Sequence, residues 1–107
     1  MTAALATGLE MLRVRFLQRV REDLAELDAA LEALETGAGE SAEVHREMRG
    51  ILHRLAGSAG SFGQAALGVE AARLESELEA DPPDRPTVER WRARIAGLAR
   101  TLATAPG

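Results

Sequence analysis

Apolar residues fall at helical spacing in four stretches of this chain. In the first, Phe16, Val20, Leu24, Leu27, Leu31 and Leu34 recur every four or three positions, which predicts a helix from about Leu12 to Glu35. Ahead of it, Leu5, Leu9 and Leu12 keep the same spacing and are expected to form an additional short N-terminal helix covering one end of the bundle. Gly37-Ala38-Gly39 interrupts the pattern. Ser41 then suits an N-cap, with Glu43 in the first turn, where the helix dipole favours a carboxylate. A second stripe follows in Val44, Met48, Ile51 or Leu52, Leu55, Ala59 and Phe62, and Gly60-Ser61-Phe62-Gly63 marks a short turn. The third stripe is Leu67, Ala71, Leu74 and Leu78, with Glu70, Glu75, Glu77 and Glu79 mainly outside it. Asp81-Pro82-Pro83-Asp84-Arg85-Pro86 breaks the chain again, and Pro86 suits the first turn of a last helix. That helix carries Val88, Trp91, Ile95, Leu98 and Leu102, and the final residues are expected to fray.

Strand formers are scarce, with two Phe, one Trp and no Tyr, so the expected fold is all-α. Short links between four amphipathic helices predict an up-down-up-down antiparallel four-helix bundle, one domain over residues 1–107. The proline and glycine breaks oppose a single long self-associating coiled coil.

Composition restricts the chemistry. Thirteen Lys and Arg against seventeen Asp and Glu give a formal charge of −4, which argues against a general nucleic-acid surface. With no cysteine there is no disulfide framework and no thiolate nucleophile, and two histidines alone are poor material for zinc. The N-terminal Met-Thr-Ala-Ala-Leu-Ala-Thr-Gly is too short and uncharged for a signal peptide. No apolar run approaches the roughly 18 residues of a membrane span. A cytoplasmic, monomeric domain without a membrane or nucleic-acid partner is expected.

His53 stands off the apolar stripe of the second helix. At helical phase, Gly57 lies about 40° from it and Gly60 about 20° to the other side. Arg49 and Arg46, one and two turns earlier, fall within about 40° of the same direction, with Ala56 close by. Glycine costs a helix interior roughly 0.5–1 kcal/mol relative to alanine, so three glycines in seven residues call for a local reason. One reason is clearance for another protein approaching His53; the other is close packing between helices, and spacing alone leaves both open. A neutral imidazole has one nitrogen available as nucleophile while the other holds its proton through a hydrogen bond. His45, without small neighbours, reads as an ordinary surface residue. Ser58, Ser61 and Gln64 can cap or bond locally, and no serine-hydrolase or phosphate-loop signature accompanies them.

His53 through Gly63 resembles the signature of histidine-containing phosphotransfer domains: a histidine, a run of small residues and a Phe-Gly turn. Leu67, Leu74 and Glu75 fit the family's Gly-x-x-x-Leu followed by Leu-Glu, and Phe16 with the leucines after it resembles the family's preceding helix. The resemblance implies a four-helix bundle with an additional short helix. It also implies a phosphorelay intermediate that accepts a phosphoryl group on His53 Nε2 from a receiver-domain aspartate and passes it to another. The implied partners are response-regulator receiver domains and a hybrid histidine kinase. The domain itself would have no kinase or ATPase activity and no cofactor, Mg²⁺ being held by the receiver. Docking is expected on Arg46, Arg54, Ala56, Gly57, Gly60 and Gln64. The family usually has lysine three residues after its histidine, where this chain has Ala56. Arg49 is expected to supply the missing charge, with Arg46 and Arg54 as weaker candidates. The alternatives are a receiver-binding module that sequesters a regulator or kinase without transfer, and a helical oligomerisation domain, for which Leu17 and Leu52 are the candidate second-face leucines.

Overall fold

Each apolar stripe buries itself against the next, and the breaks between stripes set where the chain reverses. The computed structural model describes residues 3–104, and the side chains of 7–102. Its helices are α1 (Ala3–Thr36), α2 (Ser41–Ser58), α3 (Ala65–Ala80) and α4 (Val88–Thr104). Two 3₁₀ turns, Ala59–Phe62 and Arg85–Thr87, lead out of α2 and into α4. No strand occurs among the described residues. Helix α1 packs on α2 and α4, and α3 packs on the same two, giving the antiparallel four-helix bundle expected from the sequence. The residues expected to fray after Thr104 and the side chain of Leu5 lie outside those described.

The core holds the predicted stripes almost entire, from Phe16 through Leu34 on α1 to Val88, Trp91, Ile95 and Leu98 on α4. Ile51 and Leu52 are both buried, so α2 presents a wider apolar face than a single stripe, because it is wedged between α1 and α3. Leu52 therefore offers no second face for assembly, and Leu17 is half-buried against the core.

Three local expectations need correction. The N-terminal segment is not a separate helix; it runs without a break into α1, which is 34 residues long, about 51 Å. No proline interrupts it, and helix propagation past Gly8 is easier than nucleating a new helix. Leu9 and Leu12 do not cover the bundle end, since they are 50% and 51% exposed. The N-cap of α2 is Glu40, without a side-chain cap bond, so Ser41 is the first helical residue. At the other break the capping is explicit: Asp84 accepts from the Thr87 backbone N–H, and Thr87 Oγ1 accepts from the Asp84 N–H.

Cross-links fix the register. Arg92 bonds Glu35 at 2.9 Å, Arg54 bonds Asp23 at 3.3 Å, and Phe62 stacks on Phe16 with ring centroids 4.4 Å apart. The α2–α3 turn therefore ends level with Phe16, and the part of α1 before it projects beyond the bundle. His45 is tied inward: its Nε2 donates to the Pro83 carbonyl at 2.9 Å and fastens the α3–α4 loop to α2.

Among the helical glycines Gly68 is the most closely approached: an added Cβ would lie 3.3 Å from the Ala59 Cβ and 3.5 Å from the Ala56 carbonyl oxygen. Among the described residues, nothing lies within 4 Å of that position at Gly57 or Gly60. Gly57→Ala is accordingly expected to stabilise the protein by about 0.5–1 kcal/mol through helix propensity. Gly68→Val is expected to destabilise it by about 1–3 kcal/mol through overpacking. Urea unfolding of the two variants checks both signs.

Candidate functional site

Helix α2 turns its apolar face into the core and leaves His53 on the opposite ridge, 78% exposed. Across the ridge, His53 Nδ1 lies 3.0 Å from Glu75 Oε2 on α3. An ionised carboxylate only accepts, so the ring donates through Nδ1–H, and the lone pair of the neutral imidazole is left on Nε2. Glu75 is thus the tautomer-setting partner that the sequence left unnamed. The signal for it was the turn: His53 and Glu75 stand equally far before and after Gln64, so an antiparallel hairpin brings them level.

Two grooves flank the ridge. One, between α2 and α3, is lined by Arg46, Arg49, Gly50, His53, Glu75 and Glu79. Among the described residues, neither Arg46 nor Arg49 has an ion-pair partner. The other, between α1 and α2, is chiefly apolar and includes Leu12, Phe16, Leu55, Gly57 and Phe62. Arg15, Arg19 and Arg54 border it, the last two directed at Asp23, whose carboxylate is buried at the α1–α2 contact. A buried carboxylate needs such partners, so the Arg54 guanidinium is engaged there.

The structure therefore brings Arg46, Arg49 and His53 together as the helical phase predicts, and separates Arg54 from them. Ala56 is half-buried against the core. Gly57 opens onto the apolar groove. Gly60 is exposed, but α2 tightens into a 3₁₀ turn after Ser58, so its α-helical phase to His53 no longer applies. Gln64 is not a docking residue: it is 4% exposed, tucked beneath the turn as α3 begins, and its Oε1 has no hydrogen-bond partner among the described residues. Sequence reasoning missed Gly50 and Glu79 as well as Glu75. None of the described residues group as a metal site.

Imidazole ¹⁵N NMR at neutral pH tests the ring assignment. Wild type should show a protonated Nδ1 and an unprotonated Nε2, whereas Glu75→Ala should populate the Nε2–H form. An unchanged tautomer ratio would remove Glu75 from this role.

No curated protein and no solved structure matches the chain. A family model does, that of the Hpt domain, over residues 11–101. The match takes in the ridge histidine, the small-residue turn after it, α2 and α3 entire and most of α1 and α4, and the chain belongs to the histidine-containing phosphotransfer (Hpt) domain family.

Proposed function

We propose that His53 is the phosphoryl carrier of a phosphorelay. Its Nε2 attacks the phosphorus of a receiver-domain aspartyl phosphate. A P–N bond forms as the P–O bond to the aspartate breaks, and the aspartate leaves as a carboxylate. The ring retains its Nδ1 proton and becomes a phospho-imidazolium, whose positive charge faces Glu75. In the reverse step a second receiver aspartate attacks, and a neutral imidazole with the same Nδ1 proton leaves. The observation that carries this reading is the contact between Nδ1 and Glu75, beneath an exposed ring. Mg²⁺ and most of the charge around the transferring phosphoryl would come from the receiver. A cytoplasmic site of action goes with such a partner.

The apolar groove beside Gly57, with Arg19 and Arg54 at its border, suits docking of a receiver around its aspartate. The bare backbone at Gly57 supports clearance, since none of the described residues comes within 4 Å of a Cβ placed there. Among cations of this chain, Arg49 is favoured as the substitute for the family lysine: it shares a groove with His53 and Glu75, while Arg54 is held by Asp23. The absence of lysine at Ala56 also favours a second reading, a module that binds receivers without exchanging phosphoryl groups.

Incubating the domain with a phosphorylated receiver separates the two. Acid-labile, base-stable label on wild type and none on His53→Gln is expected; binding without label would establish the second reading.

Transfer rates in Arg49→Ala and Arg54→Ala test the cation. The first should lose about 1–2 kcal/mol of transition-state stabilisation, roughly 5- to 30-fold in rate, and the second markedly less. Equal losses would reject Arg49 as the substitute.

A further inference from the structure

The part of α1 that projects beyond the bundle is apolar on more than one side. Leu12 lines the groove beside Gly57 and Leu9 continues the phase of the buried stripe, whereas Met11 and Val14, 52% and 53% exposed, face elsewhere. At helical phase Met11 and Val14 lie roughly 150° from the centre of the buried α1 stripe, on the side of α1 away from the bundle. They share that face with Thr7 and Gln18, and the four positions are spaced by four, three and four residues. This is the seam of a two-stranded coiled coil, with Met11 and Gln18 at a and Thr7 and Val14 at d. Thr7, Glu10, Met11, Val14 and Arg15 together line a shallow groove on this face.

The flanking charges identify the occupant. In that heptad Glu10 is a g position and Arg15 is the following e position. Residues five apart are not neighbours on one helix, but g and the next e meet across a parallel pair. Glu10 of one copy would face Arg15 of the other, twice by symmetry, on either side of the apolar seam. Arg15 has no ion pair among the described residues, and Glu10 has only a 3.8 Å contact with Arg13. The face is complementary to itself, as a two-fold interface requires.

We infer that the chain forms a parallel dimer through this face of α1, in register, with the two bundles on the outside. Gln18, a polar a position, can pair with its copy in that register. The seam covers about two heptads, less than the three or four of an independent coiled coil, so the dimer is weak and depends on concentration. Its α1 helix is already continuous with the folded bundle, which lowers the ordering cost of pairing. This departs from the monomer expected from sequence. It leaves both His53 ridges open, because Met11 and Val14 lie on the far side of α1 from the core, and only Arg15 borders both the seam and the groove beside Gly57.

Sedimentation equilibrium of the full chain, from roughly 10 µM to 1 mM, should show a reversible monomer–dimer equilibrium. Glu10→Arg and Arg15→Glu should each weaken it about tenfold or more, and the double exchange should restore it. Circular dichroism establishes that each variant is folded. Orientation is read from cross-linking in this cysteine-free chain: Met11→Cys should oxidise rapidly to a covalent dimer, and Val69→Cys, at a site 68% exposed on α3, should not. A wild type that stays monomeric throughout, a double exchange that fails to restore association, or equal oxidation at both sites would each overturn the inference.

Discussion

Helix α3 lies close enough to α2 for chemistry because Gly68 has no side chain. An added Cβ there would stand 3.3 Å from the Ala59 Cβ and 3.5 Å from the Ala56 carbonyl oxygen, so even a methyl group presses on the turn that leads out of α2. Seven residues on, along the same face of α3, Glu75 reaches His53 at 3.0 Å. A hydrogen bond weakens steeply once its atoms separate by half an ångström or its angle opens. The tautomer of the exposed histidine is therefore set from within, by how tightly two helices nest two turns away. The glycines nearest the histidine act in the opposite sense, leaving the space outside the bundle unfilled.

The core was legible because one physical rule governs it. Leucines at alternating spacings of three and four must share a helix face, and water drives that face inward. Where several rules compete, the sequence was ambiguous or misleading. Leu9 and Leu12 had the right spacing but no opposing helix at their level among the described residues, so they form a helix without being buried. Gln64, polar and next to a glycine turn, looked like a surface residue; the Gly63 reversal, at φ 74°, folds it under α3 instead. Glu75 could have been placed by matching positions across the hairpin, but only once the turn length was settled, and a 3₁₀ segment changes that length.

Charge around the ridge is divided by burial. Asp23, 3% exposed, draws Arg19 and Arg54 toward the α1–α2 contact, where they compensate a carboxylate that could not stay there alone. Arg46 and Arg49 meet no such demand. The two sides of His53 thus differ in kind: a bordered apolar trough toward α1, and solvated guanidinium groups toward α3. An approaching surface meets an apolar trough on one side and, on the other, a groove where Arg46 and Arg49 stand beside Glu75 and Glu79.

The uneven length of the helices has a consequence for how the protein opens. From Phe16 onward α1 is held by tertiary contacts; before it, the helix is held by little beyond its own hydrogen bonds. A free helix of about a dozen residues is marginal in water, and Gly8 weakens this one further. One continuous helix therefore contains two stabilities. Amide protons before Phe16 should exchange through local fraying, with a free-energy cost near zero at the outermost turns. Those from Val20 to Leu34 should exchange only when the bundle itself opens. In a chain whose arm is unpaired, the first turns can unwind and reform many times during the life of the folded core, so the arm behaves as a separate cooperative unit within an unbroken helix.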